Sequence, residues 1–217
     1  MRFYRVNHYF RYLGYQDTIG MQQGLLLAKA SNGNLQQYID KNNRFITLSL
    51  RKKWCWQTAE SIAYLHSQGV IHSDLRPKNF LVHATSTASL DIWLCDFGGL
   101  TCKDLGLDRG HLPDAGFFDP TQGYVSTLAT DIFSLGSIFY TILTGHWPYK
   151  SPGPFKTTEE MDKYNQKVDL LFKQGKFPDV GGLIGGKVVM GCWTKKYSTA
   201  EEILCALEVE MLMGNDK

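Results

Sequence analysis

Between Val70 and Val82 the chain places an imidazole, a carboxylate, a guanidinium and a carboxamide within eight residues: His72, Asp74, Arg76 and Asn79. Apolar, strand-like runs flank the group, and Pro77 stiffens its middle. Such a mixture suits phosphoryl transfer. A carboxylate can orient or deprotonate a hydroxyl, a cation can neutralise a moving phosphoryl group, and an amide oxygen can ligate magnesium.

These groups need a scaffold, and the composition supplies one. The chain has 217 residues, 43% of them hydrophobic, enough to bury a substantial core as one large domain or two small ones. Net charge is only +2, and the basic runs Arg51-Lys52-Lys53 and Lys195-Lys196 are short, so neither a nucleic-acid footprint nor a polybasic membrane patch is expected. Five scattered cysteines without a C-x-x-C pair argue against a zinc site or a disulfide framework and suit a reducing compartment. No secretory signal is visible at Met1-Arg2-Phe3, and the most apolar stretch, Val125 to Leu143, carries Asp131 and several small polar residues. An intracellular location, cytoplasmic or nuclear, is expected.

Patterning then orders the elements. A hairpin is expected from Tyr9–Tyr15 and Gly24–Ala30, followed by turn residues Ser31-Asn32-Gly33-Asn34 and a helix that begins near Leu35. Apolar residues at helical spacing predict a helix over Leu48–Ser67, ended by Gly69. A second hairpin is read at Phe80–His83 and Leu90–Cys95, running into Asp96-Phe97-Gly98-Gly99. Residues 100–124 read as a long irregular loop. Helices follow at Ala129–Leu143, Thr158–Gln174 and Thr199–Met211, the last capped by Ser198 or Thr199.

In register, these motifs resemble the protein kinase catalytic domain. His72 to Asn79 is similar to the catalytic loop, Asp96-Phe97-Gly98 to the metal-binding turn, and Asp131 to Gly136 to the start of the central large-lobe helix. Leu25 to Leu35 resembles the last small-lobe strand, the hinge and the turn after it, and Cys192-Trp193 resembles a pair before the final helix. The resemblance implies an α+β fold, with residues 1–30 as a remnant of the small lobe and 31–217 as the large lobe. It implies ATP and Mg2+ as cofactors and a protein substrate, and says nothing of oligomeric state.

Roles carry over residue by residue. Asp74 matches the catalytic aspartate, Asn79 a magnesium-binding asparagine, and Asp96 the aspartate whose metal bridges the phosphates. Arg76 stands where a lysine usually meets the transferred phosphate; a cation followed by Pro77 resembles the serine/threonine class. Leu27 falls at the gatekeeper position, Ala28 to Ala30 at the adenine-facing hinge, and Leu81 at the floor of the adenine pocket. His72 and Asp131 are expected to be structural, the first packing under Phe97 and the second holding the loop's backbone. His66, His83, His111 and His146 read as ordinary surface or core residues.

Departures from the family pattern are as specific. No glycine-rich loop, strand lysine or helix glutamate precedes the first hairpin, so the resemblance implies a domain truncated at its N-terminus. Ser73 replaces an arginine that often pairs with a loop phosphate, which makes control by that route unexpected. Thr121 and Tyr197 stand where a glutamate and an arginine usually pair, so both halves of that ion pair are expected to be missing together. The pattern is similar to small kinase-like proteins of fungi. Two other functions remain open on the sequence: a non-catalytic interaction module, and a small-molecule kinase of the aminoglycoside or choline type.

Overall fold

The computed structural model describes residues 12–17, 23–86, 89–123 and 125–213. Strands β1 (Tyr12–Gln16) and β2 (Gly24–Leu27) pair antiparallel, with Tyr15 opposite Leu25. The expected first hairpin is therefore present in its second half, while residues 9–11 lie outside the described part. Its apolar side chains stay open, with Leu13 59% and Leu25 65% exposed.

Helix α1 (Leu35–Asn42) starts where the turn signal places it. The Asn34 side chain accepts a hydrogen bond from Gln37 N at 2.9 Å, satisfying an amide that no preceding carbonyl can reach. Helix α2 (Leu48–Ser67) is capped likewise by Thr47, whose hydroxyl accepts from Leu50 N. Its inner face buries Trp54, Ala59, Ile62 and Ala63, a large side chain such as Ile62 contributing up to about 3 kcal/mol. Gly69, at φ +71, ends it in the left-handed geometry that glycine adopts without steric cost.

Helix α2 also holds the sheet that frames the loop. Strand β3 (Val70–Ile71) follows it, and β4 (Phe80–Ser86) pairs antiparallel with β5 (Ser89–Leu94), Phe80 opposite Leu94. The Gln57 side chain acts as a substitute neighbouring strand for β5: its carbonyl oxygen accepts from Ile92 N at 3.1 Å and its amide donates to Asp91 Oδ1 at 2.8 Å. The Trp54 indole donates to Leu90 O. On the other side Asn32 N donates to Val82 O and Val82 N to Gly33 O, which fastens β4 to the turn before α1.

Residues 100–124 are less irregular than the sequence suggests. Strand β6 (Thr101–Cys102) pairs with β3, and β7 (Leu107–Asp108) pairs with β6, making a small three-stranded sheet. Two-residue strands carry no periodicity to read, and only the tertiary partner β3 makes them strands.

Helix α3 (Leu128–Thr144) runs through the core, with a reciprocal Thr127–Thr130 capping box at its start and Gly145, at φ +88, at its end. Helix α4 (Thr158–Lys173) buries Tyr164, Val168 and Phe172, and α6 (Ala200–Met213) begins after Thr199, whose hydroxyl accepts from Glu202 N. Between them lies α5 (Gly186–Trp193), which the pattern did not announce because glycines interrupt its apolar run. It forms against α3. A Cβ on Gly136 would sit 2.8 Å from the Cys192 Cβ, and the Trp193 indole donates to Ser137 Oγ at 2.9 Å.

Gly136 is thus a packing glycine. Gly136→Ala is expected to lower stability by about 1–3 kcal/mol in urea unfolding, despite alanine's better helix propensity, because two packed helices must part to admit the methyl group.

Candidate functional site

The loop's backbone is set by one carboxylate. Asp131, fully buried on the first turn of α3, accepts from His72 N at 2.8 Å through Oδ2 and from Ser73 N at 2.9 Å through Oδ1. His66 Nε2 from α2 lies 3.0 Å from Oδ2. Ser73 is held at φ +70, a left-handed conformation that costs a non-glycine residue about 1 kcal/mol and needs such anchoring.

His72 is fully buried, with its ring 5.4 Å from that of Phe97. Asp74 N–H can only donate and the Cys95 carbonyl can only accept, so contacts of 3.4 Å at Nδ1 and 3.1 Å at Nε2 put the ring proton on Nε2. That fully used ring braces the loop against the turn that carries Phe97.

Asp74 follows, only 5% exposed at its side chain. Its Oδ2 meets Asn79 Nδ2 at 3.0 Å, Arg76 Nη2 at 3.2 Å and His111 Nε2 at 3.7 Å. Its Oδ1 is buried and has no hydrogen-bond partner. Burial pushes the carboxyl above its usual range, and Arg76, the Asn79 amide, His111 and His72 pull against that shift. The two oxygens are therefore unequal: one is fixed by donors and one is left to accept.

Asn79 and Asp96 are brought together by the β4–β5 hairpin. Phe80 and Leu94 are partners, and one step beyond them Cys95 N donates to Asn79 O at 2.9 Å. The Asn79 amino group also bonds Asp74 O at 2.7 Å, so metal-binding capacity rests with its amide oxygen. Asp96 is exposed at φ +62 and caps the turn Phe97–Gly99 by accepting from Gly98 N. Among the described residues no three His, Cys, Asp or Glu side chains are grouped to hold a metal ion. Two hard oxygen donors fit magnesium, which commonly takes one or two protein ligands and completes its shell with phosphates and water.

The adenine-side residues lie along the strand and turn before α1. Ala28 and Ala30 are half-buried after β2, and Leu81 forms an isolated bridge with Asn34. Leu27 ends β2 at 44% exposure. Turn residues 31–34 thus connect the expected hinge with the expected pocket floor, while Leu27 remains open.

Two residues of the segment after β7 enter the site without any warning in the sequence. His111, read as an ordinary residue, lies against Asp74, and a Cβ on Gly99 would come within 3.1 Å of its Cβ. Asp114 Oδ2 meets Arg76 Nη1 at 3.1 Å. Neither belongs to a local pattern, and only the fold back of this segment brings them in.

The segment carries an ion pair of its own beside the positions where the family's pair is absent. Thr121 and Tyr197 cannot form it, but Asp119 Oδ2 lies 2.9 Å from Lys195 Nζ, two residues before each of them. Asp119 Oδ1 accepts from Thr121 N and Oγ1 at 2.9 and 2.7 Å. Asp119 and Lys195 thus tie the two segments, with Thr121 a donor to the carboxylate.

The family model described as a protein kinase domain matches residues 15–180 of this chain. Ribosomal protein S6 kinase alpha-3 of Homo sapiens is 41% identical over 153 residues, covering 67% of this chain and 18% of that protein. Ribosomal protein S6 kinase alpha-6 of Homo sapiens is 39% identical over 132 residues, 57% of this chain and 16% of that protein. The chain thus spans less than a fifth of the length of these relatives. Among solved structures, one titled as the crystal structure of Rad53 kinase domain and SCD2 superposes with a TM-score of 0.65 at 18% identity, over 91% of this chain and 70% of that one. This structural likeness shows the fold, mixed α and β, that the motif order implies.

The tie between Asp119 and Lys195 makes acid sensitivity predictable. Burial works against the Asp119 charge, but bonds from Thr121 and Lys195 outweigh it and hold the carboxyl below its usual range. With the folded value depressed, the contribution is present above the unfolded carboxylate pKa, about 3.9, and is lost as pH falls through the folded one. Lys195→Gln is expected to cost about 0.5 kcal/mol and Asp119→Ala about 1 kcal/mol, the latter also removing the acceptor of both Thr121 donors. Urea unfolding at pH 7 and again near pH 3 checks both, the deficit of Asp119→Ala shrinking in acid.

Proposed function

The chain belongs to the protein kinase domain family, and from that premise we propose that it transfers phosphate from ATP to serine or threonine hydroxyls of a protein. The observation that carries the reading is the asymmetry of Asp74. A buried carboxylate with one oxygen fixed by Asn79 and Arg76, and the other unpaired, is arranged to take a hydrogen bond from an incoming hydroxyl.

In this reading Asp74 Oδ1 orients the substrate hydroxyl and accepts its proton as the oxygen attacks the γ-phosphorus of ATP, the bond from that phosphorus to the β,γ-bridging oxygen breaking and ADP leaving with its electron pair. Arg76, held beside it, offers positive charge to the phosphoryl group. Its Nε is buried without a partner, so a donor and an acceptor both stand unpaired on two residues in direct contact. Asn79 through its amide oxygen and Asp96 through its carboxylate would hold magnesium. A magnesium ion held there would supply positive charge against that developing on the phosphates. Ala28, Ala30, Leu27 and Leu81 would receive the adenine.

The strand pair before residue 31 is assigned to the small lobe and residues 31–217 to the large lobe. No described helix is long and apolar enough to cross a membrane. All five cysteines are free, and burial pushes the Cys55 and Cys192 thiols up, so their side chains act as inert core groups. An intracellular setting suits such a thiol set. The weak net charge supports partners other than nucleic acid or a membrane surface.

Radiolabelled phosphate transfer from ATP to a generic protein substrate tests the proposal. Asp74→Asn is expected to lower the rate by roughly a hundredfold or more while magnesium-dependent ATP binding, followed by calorimetry, persists. Equal rates in wild type and variant would reject the role of Asp74. Absence of magnesium-dependent ATP binding, with a protein partner still bound, would place the chain among interaction modules.

A further inference from the structure

Arg76 is gripped at both ends of its fork. Nη2 lies 3.2 Å from Asp74 Oδ2 and Nη1 lies 3.1 Å from Asp114 Oδ2. The two carboxylates come from different parts of the chain, one from the loop between β3 and β4 and one from the segment between β7 and α3. A guanidinium is planar and its two amino groups diverge at a fixed angle, so two simultaneous contacts fix both its position and its plane. A lysine ammonium in its place would carry the charge without the fixed geometry.

Asp114 in turn stands on a firmly seated turn. Phe117 N donates to Asp114 O at 3.0 Å, and Phe117 is fully buried with its ring 5.0 Å from that of Trp147. Ser134 Oγ, on α3, donates to Phe117 O. Gly116 passes so close to Tyr164 that a Cβ there would lie 2.5 Å from its hydroxyl, and that hydroxyl donates to Pro148 O at 3.1 Å. The carboxylate of Asp114 is thus carried on core packing, whereas the Arg76 side chain is long and, apart from its two carboxylates, weakly held.

We propose that Asp114 is a positioning residue: its carboxylate holds the Arg76 fork against Asp74, so that the seating of segment 109–118 sets where the loop's guanidinium lies. The inference rests on the reading of Asp74 and Arg76 as the transfer site given above. Burial works against the Arg76 charge, and Asp114 and Asp74 more than offset it. A pair this exposed, 24% at Arg76 and 39% at Asp114, contributes little to stability, and its effect is geometric. Because Arg76 binds Asp74 on its other side, a segment displaced from its seat releases the cation from the very carboxylate that would meet the hydroxyl.

Side-chain nitrogen NMR of the full chain with labelled arginine tests this directly. In wild type, Arg76 is expected to give separate, slowly exchanging Nη1 and Nη2 signals. Asp114→Asn should speed rotation of these groups by roughly tenfold and merge the signals, and Asp114→Glu should restore them. Lys195→Gln, distant from the fork, should leave them as in wild type. Unchanged Arg76 signals in Asp114→Asn overturn the proposal. Should that variant fail to fold, Phe117→Leu, which unseats the turn with Asp114 intact, is expected to merge the same signals, and their persistence overturns it equally. Transfer by Asp74→Asn is scored separately: a chain without transfer in which Asp114→Asn still frees Arg76 refutes the phosphoryl-transfer reading and keeps the positioning contact.

Discussion

The Asp131 carboxylate is the constraint on which the site depends. It is fully buried, and a buried charge is tolerable only where donors surround it. Two of those donors are consecutive backbone amides, His72 N and Ser73 N, and aiming both at one carboxylate forces Ser73 into the left-handed region. Helix α3 supplies Asp131 and α2 supplies His66, so the loop takes its shape from the contact between the two longest helices of the core.

From that anchor the rest of the site follows by short steps. His72 joins the loop to Cys95 and packs on Phe97, while Asn79 joins it to the same Cys95 by a backbone bond. Asp96 lies next in the chain. The hairpin β4–β5, pinned to α2 through Gln57 and Trp54, therefore carries the two oxygen donors on a frame that shares its supports with the carboxylate. Site and core are one packing problem, with no separate flexible platform between them.

The segment after β7 shows how the same arrangement tolerates change. Its charged tie to the α5–α6 region runs through Asp119 and Lys195, two residues before the positions the family pattern would use. A pair of opposite charges needs proximity and donors, and either can be supplied from a neighbouring turn. Lys195 stands at φ +58, a left-handed position that turns its side chain into the tie. The arginine fork then receives Asp114 from the same segment, a contact the usual lysine would not shape.

Most of the helices, both hairpins and the loop groups Asp74, Arg76, Asn79 and Asp96 were legible in the sequence, because caps, periodicity and turn residues are local signals. Helix α5 and strands β6 and β7 were not, since a glycine-broken apolar run and two-residue strands are defined by what packs against them. The residues themselves determined which chemistry is available: a carboxylate, a cation and two hard oxygen donors at fixed spacing. Only the tertiary structure decided that Asp74 has one bound oxygen and one free, that His111 and Asp114 join it, and that Asp119 and Lys195 tie segments where the family's pair is absent. Those outcomes depend on distances of a few ångströms between segments dozens of residues apart, and sequence spacing carries no information about such distances until the core between them is packed.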